Sequence, residues 1–121
     1  MAETVWASMT MKRGMEEGAL KLINAVRRQT EREQPDALVY LVHRILGADG
    51  KPTRDVRFYE RYRTKAAVTA HLDSTSWKAL VANWDAHFEG HVPDKTHAVF
   101  DPLVRIGGFA REGAIPIKSA D

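Results

Sequence analysis

The fold is decided by residues 58–77, FYERYRTKAAVTAHLDSTSW, where a strand pattern gives way to a helix pattern. Side chains alternate in character up to Tyr62, as they do in a strand with one buried face. From about Lys65 the apolar residues recur at the spacing of a helix. Glu60 therefore stands on an apolar strand, and His71 follows on the next helix. We expect these two side chains to meet where the helix packs on the strand.

Three further segments have strand patterns. Residues 4–12 alternate, with one face made of Val5, Ala7, Met9 and Met11. Residues 37–46, ALVYLVHRIL, are apolar on both faces, so both faces need a cover. Residues 100–113, FDPLVRIGGFAREG, predict a last strand that is interrupted at a Gly-Gly pair.

Two helical regions separate these strands. The first carries an apolar stripe from Met15 to Thr30 and ends at Pro35. The second begins near Lys65, and its later part carries a stripe that runs from Trp77 through Trp84 to Phe88. Residues 89–97 are predicted to be a loop. The order β-α-β-β-α-β predicts an α+β, ferredoxin-like domain, in which a four-stranded antiparallel sheet has two helices on one face.

The other face of the sheet has nothing in the chain to cover it, although alternation makes it partly apolar. A second copy would cover it, and two sheets packed face to face form a dimeric α+β barrel. We therefore predict a homodimer. The chain is read as one domain over residues 1–121, with a core at about 4–112 and a tail at 113–121.

Composition narrows the class of protein. Hydrophobic residues make up 44% and charged residues 28% of the chain, which is typical of a globular domain. There is no cysteine, which excludes disulfides and thiolate catalysis. No secretory signal or run of about 20 apolar residues is visible, so a cytoplasmic protein without a membrane partner is expected.

The net charge is only +2, and acidic residues interrupt the basic ones. Arginines 54, 57, 61 and 63 are separated by Asp55 and Glu60. We interpret these charges as protecting an exposed strand edge from pairing with another strand, rather than as a binding surface for the phosphates of a nucleic acid. No nucleic-acid partner is predicted.

The stretch from Phe58 to Leu80 resembles the hallmark of the antibiotic biosynthesis monooxygenase family: an aromatic–Glu–aromatic strand end, a helix with Ala and then His, and a polar turn before an aromatic. EREQPDALVYLVHRI, residues 31–45, resembles the family's second strand, which carries a Tyr. The resemblance covers roughly residues 4–112. It matches the family's strand Glu to Glu60, its helix His to His71, its aromatic to Trp77 and its Tyr to Tyr40.

The family includes cofactor-independent oxygenases of anthrones and quinols, haem-degrading enzymes and a muconolactone isomerase. The resemblance therefore implies a small aromatic or polyketide-like substrate, held between sheet and helices, with no cofactor. The oxygenases also use an Asn, for which Asn24 and Asn83 are candidates by position only.

For catalysis we predict His71 as a base, assisted by Glu60, with Tyr40 or Tyr62 as a hydrogen-bond donor. A neighbouring carboxylate favours the imidazolium and burial opposes it, so the pKa of His71 is expected near neutrality. The alternative is a Glu60–His71 bond that only holds helix to strand. Predicted substrate contacts, each of which could also be core or interface, are Phe58, Tyr62, Trp77, Trp84 and Trp6.

Three functions stay open. The first is a cofactor-independent monooxygenase that oxidises a small hydroquinone or anthrone with O₂. The second is an isomerase or cyclase, and the third is a non-catalytic ligand-binding or stress-associated dimer. No metal site is predicted. His87 and His91 are four apart, and Glu89, Asp94 and His97 lie nearby, but Gly90 and Pro93 interrupt the regular helix that a His-x-x-x-His site needs.

Overall fold

The structure is a computed structural model that describes residues 2–114 of the chain. Its strands are β1 (Glu3–Thr10), β2 (Ala37–Leu46), β3 (Pro52–Tyr62) and β4 (Phe100–Leu103), and its helices are α1 (Glu16–Glu33), α2 (Lys65–Leu72), α3 (Thr75–Ala82) and α4 (Trp84–His87). The strands form one antiparallel sheet in the order β2-β3-β1-β4. The predicted ferredoxin-like α+β fold is confirmed. Residues 115–121 of the predicted tail lie outside the described part of the chain.

The second helical region is three short helices, and the polar turn at Asp73 and Ser74 separates α2 from α3. The Thr64 hydroxyl accepts from the backbone N of Ala67 at the start of α2. The Ser74 hydroxyl accepts from the backbone N of Trp77 at the start of α3. A new cap within the polar turn therefore ends one helix and begins the next. Phe88 leaves the helix and pairs with Met11 at the end of β1.

The core lies between the sheet and the helices. The inward faces of β1 and β3 pack on α1, α3 and α4, as the alternation and the helical stripes predict. The members of this core that are buried are Ala7, Met9, Met11, Ala19, Ile23, Val26, Val56, Phe58, Trp77, Leu80, Trp84 and Phe88. Glu60, His71 and Thr30 are the polar side chains buried beside it among the described residues.

Two expectations about the strands are wrong. The last strand ends at Leu103 instead of continuing to the Gly-Gly pair. It is an edge strand and contains Pro102, which cannot donate to a ladder. The arginine-rich strand β3 lies between β2 and β1, so Arg57 and Arg61 do not protect an edge. Among residues 2–114, no helix is long and apolar enough to span a membrane.

The face of the sheet that points away from the helices keeps apolar side chains at the surface. Trp6 is 40% exposed and stands opposite Tyr59 in the β1–β3 register. Leu41 stands opposite Tyr59 from the other side, and Leu103 is 43% exposed. We name Trp6, Val39, Leu41, Tyr59 and Leu103 the open-face patch. No other described element covers this patch within the chain.

Candidate functional site

The expected contact between β3 and α2 is a buried cluster of polar side chains. The side chains of Glu60 on β3 and His71 on α2 are each 2% exposed, and His71 Nε2 lies 3.8 Å from Glu60 Oε1. This separation is too long for a direct hydrogen bond. Tyr62, two residues along the same face of β3, donates its hydroxyl to Glu60 Oε1 at 2.5 Å. Strand alternation places both side chains towards the helices.

The hydrogen bonds around His71 fix which ring nitrogen carries the proton. Nδ1 lies 2.9 Å from Gln34 Oε1 and 3.2 Å from Thr30 Oγ1. Thr30 gives its own proton to the carbonyl oxygen of Val26 at 2.7 Å, so its oxygen is free to accept. Both neighbours therefore accept from Nδ1–H. In the neutral imidazole, Nε2 then carries the lone pair, and it is Nε2 that faces Glu60.

Burial moves the two pKa values in opposite directions. It raises the pKa of the Glu60 carboxyl from 4.5 to about 7, against the lowering effect of the Tyr62 hydrogen bond. It lowers the pKa of the His71 imidazole from 6.5 to about 4. In both residues burial penalises the charged form. The group with a pKa near neutrality is therefore Glu60, which corrects the expectation for His71.

Two tyrosines complete the polar surroundings of the carboxylate. Burial, followed by the charge of Glu60, raises the pKa of the Tyr62 hydroxyl well above its usual range. The same two causes raise the pKa of Tyr40, and Arg27 opposes them. Tyr40 stands opposite Glu60 in the β2–β3 register, so both side chains lie on the same face of the sheet. Both hydroxyls therefore stay protonated and can act as donors.

An aromatic shell surrounds the imidazole. The ring centroids of Tyr40, Tyr62 and Trp77 lie 5.4, 5.5 and 6.4 Å from that of His71. Phe58 lies 6.2 Å from Tyr40. The structure thus brings together six of the predicted site residues: Tyr40, Phe58, Glu60, Tyr62, His71 and Trp77.

Other candidates lie elsewhere. Trp84 stacks on Phe88 at 4.6 Å and donates Nε1 to the carbonyl oxygen of Gly90, as a core residue does. Trp6 is on the opposite face of the sheet from Glu60, in the open-face patch. Asn24 accepts from Arg27 Nε, and Asn83 ends α3 by donating to Ala79.

Two site residues were missed by the sequence reasoning. Thr30 counted only as part of the apolar stripe of α1, and Gln34 follows it four positions later. A helix brings positions four apart to one face, so the pair was visible as polar residues that continue an apolar stripe. Their function is to hold the imidazole, which depends on where α2 crosses α1. The spacing of residues in the sequence does not predict where two helices cross.

Comparisons with known proteins agree with this architecture. The sequence model described as Antibiotic biosynthesis monooxygenase matches residues 4–83. A comparison with curated proteins returns no match. Among solved structures, the protein PA3566 from Pseudomonas aeruginosa has a TM-score of 0.69 at 19% identity, over 88% of this chain and 95% of that one.

Two further structures are similar to the chain. Rv0793 from Mycobacterium tuberculosis has a TM-score of 0.69 at 18% identity, over 91% of this chain and 100% of that one. A protein named antibiotic biosynthesis monooxygenase has a TM-score of 0.66 at 17% identity, over 88% of this chain and 100% of that one. At these identities the likeness concerns the fold.

Proposed function

The chain belongs to the antibiotic biosynthesis monooxygenase family, and from that premise we propose that it is a cofactor-independent monooxygenase of a small aromatic hydroquinone or anthrone. The observation that supports this most is the buried Glu60 carboxylate, whose pKa lies near 7 beside a neutral imidazole. A proton acceptor of this kind, enclosed by aromatic rings, suits the deprotonation of an aromatic substrate. The cytoplasmic location stays a prediction.

The reaction balances without an external reductant. A phenol or anthrone loses a proton, and its anion passes one electron to O₂. The two radicals combine into a peroxide, which loses water to leave a quinone. The substrate carbon supplies all four electrons, one oxygen atom stays as the new carbonyl and the other leaves as water. The protein has to supply a base, donors for the developing oxyanion and a dry site.

We assign the proton transfer to Glu60. Its carboxylate takes the substrate proton, while Nε2 of His71 faces the same position from the helix side. A substrate hydroxyl that donates its single proton to Glu60 cannot also donate to Nε2, which holds a lone pair, so His71 takes no part in the transfer. Tyr40 is the donor for the developing oxyanion, since the Tyr62 hydroxyl already donates to Glu60 Oε1. In this proposal His71 encloses the carboxylate, and its lowered pKa keeps it neutral.

A non-catalytic role is the rival, and the closure of the site favours it. Glu60 and His71 are each 2% exposed, Glu60 accepts from the Tyr62 hydroxyl, and Nδ1 of His71 is bonded to Gln34. In this alternative the cluster only ties α1, α2 and β3 together.

The test is O₂ uptake by metal-stripped protein with hydroquinones, naphthohydroquinones and anthrones. We expect uptake above the autoxidation rate and, with isotopically labelled O₂, one labelled oxygen atom in the quinone. Simple oxidation to a quinone would instead release hydrogen peroxide and leave the product unlabelled. No uptake above background across the panel would favour the isomerase or the non-catalytic dimer.

We also propose that the protein is a homodimer closed through the open-face patch. This proposal is supported by Trp6 and Leu103, which are 40% and 43% exposed next to Leu41 and Tyr59. The chain continues from β4 with Val104, Ile106 and Phe109, each more than 80% exposed. Burial of exposed apolar side chains is the usual driving force for association. Arg57, Arg61 and Asp101 lie on the same face of the sheet.

Trp6→Glu is expected to dissociate the dimer, because it places a charge at the centre of the buried patch. Met15→Glu is the matched control: Met15 is 37% exposed, close to the 40% of Trp6, but lies outside the patch. Sedimentation velocity should give twice the 13.6 kDa chain mass for wild type and control, and the chain mass for Trp6→Glu. A dimeric Trp6→Glu protein would contradict this interface.

A further inference from the structure

The loop between α4 and β4 contains a turn organised by one carboxylate. Asp94 Oδ1 accepts from the backbone N of Thr96 at 2.8 Å, the backbone N of His97 at 2.7 Å and the Thr96 hydroxyl at 2.9 Å. The backbone N of Asp94 donates to the carbonyl oxygen of His97 at 3.1 Å. These bonds fix the position of the Asp94 side chain and bring residue 97 back towards residue 91.

Two imidazoles meet on this turn. The rings of His91 and His97 stack with centroids 3.7 Å apart and planes inclined by 16°. His97 Nδ1 lies 3.1 Å from Asp94 Oδ1, and His91 Nδ1 lies 3.8 Å from Asp94 Oδ2. One ligand atom from each residue falls within a group no wider than 4.8 Å. Ligand atoms around a tetrahedral Zn²⁺ are about 3.3 Å apart, given bonds of about 2.0–2.1 Å. Binding would therefore draw the ligand atoms together and turn the two rings out of their stack, because one ion cannot lie in the planes of two parallel rings. His91 donates Nδ1–H to the carbonyl oxygen of Val92 at 2.8 Å, so its ligand atom is Nε2.

The charges of the group also suit a cation. An aspartate carboxylate supplies a hard oxygen ligand, and Asp94 Oδ2 lies on the side of His91, 3.8 Å from its Nδ1. Two imidazole nitrogens with one carboxylate oxygen suit Zn²⁺, Cu²⁺ or Ni²⁺ better than Mg²⁺ or Ca²⁺.

The surroundings leave room for further ligands. His91 and His97 line a cleft of about 440 Å³, together with Glu89, Arg57 and Ser8. A cation held by three protein ligands would keep its remaining coordination positions towards this cleft, as metal sites with exchangeable ligands do. The sequence argued against a helical platform here, and the loop brings the residues together without one.

We propose that His91, Asp94 and His97 form a binding site for a divalent transition-metal ion, with Zn²⁺ the best match and open positions towards the cleft. The proposal is independent of the oxygenase assignment, since it uses none of the residues around Glu60. All three ligands lie in the loop, which is joined to β1 just beyond the turn, where Ser8 N donates to Val99 O.

The test is calorimetric titration of ZnCl₂ into metal-stripped, tag-free protein. We expect one Zn²⁺ per chain and at least about tenfold weaker binding in His91→Ala and in His97→Ala. His87→Ala is the matched control, because His87 lies outside the cluster and its ring bonds to Asn83 O. This variant should bind Zn²⁺ with the affinity of wild type. Asp94→Asn keeps an oxygen for the turn but loses the charge, and should also bind more weakly. Wild-type affinity in His91→Ala and His97→Ala, or no Zn²⁺ uptake by wild type, would overturn the site.

Discussion

Glu60→Gln is expected to lower the rate constant of the oxidation by roughly 10²–10⁴-fold, the usual contribution of a general base. Gln keeps the shape of the side chain and an oxygen for the Tyr62 hydroxyl, but it has no proton-accepting carboxylate. The loss should appear in kcat as well as in kcat/KM, because the proton transfer belongs to the chemical step.

The wild-type pH profile gives the second half of this prediction. The base must be ionised, so activity should rise with pH through about 7, where the raised pKa of Glu60 lies. The rise should be absent in Glu60→Gln. Glu17→Gln removes a carboxylate from a side chain that is 89% exposed and serves as the control. More than a tenth of wild-type activity in Glu60→Gln, or an unchanged profile, would show that another group is the base.

The second large effect concerns the free energy of unfolding. Its dependence on pH should have opposite signs in Glu60→Gln and His71→Gln. Glu60 binds a proton more tightly in the folded state, so its contribution to the free energy of unfolding falls as pH rises from 4.5 to about 7. His71 binds a proton more weakly in the folded state, so its contribution rises with pH from about 4 to 6.5. Each change amounts to roughly 3 kcal/mol, since one pKa unit is about 1.4 kcal/mol.

In the wild type these two contributions nearly cancel between pH 4.5 and 6.5, the window that both shifts share. Glu60→Gln leaves the His71 contribution, so its stability should increase with pH across the window. His71→Gln leaves the Glu60 contribution, so its stability should decrease. Urea unfolding at several pH values, at one protein concentration because association affects stability, would measure both slopes. Parallel curves for the two variants would refute the opposed shifts.

Much of the fold could be predicted because its signals are local. The limits of β2 are visible as an apolar run between Pro35 and the turn at Gly47. The inward faces of β1 and β3 follow from alternation, which depends only on backbone geometry. The meeting of Glu60 with His71 follows from the same alternation together with the order of the elements.

What could not be predicted depends on contacts between distant segments. The central place of β3 is a property of the sheet order, so its arginines looked like edge residues. The length of β4 depends on where Pro102 falls against β1, and the pairing ends soon after it. The protonation of the site depends on burial, which the sequence does not show. Burial lowers the pKa of His71 and raises that of Glu60, so the carboxylate, and not the imidazole, is the stronger base.

One consequence follows from how α2 is attached. Of its eight residues only His71 is fully buried. Its imidazole bonds to Thr30 on α1 and to Gln34 just after that helix, and it packs against Tyr62 and Trp77. Local opening of α2 would break the hydrogen bonds and ring contacts of this one side chain and would expose the partly buried Leu72. The residue that closes the site is also the residue that faces Glu60. A ligand that reaches the carboxylate from the side of α2 has to displace this imidazole, so on that route His71 sets the rates of ligand binding and release.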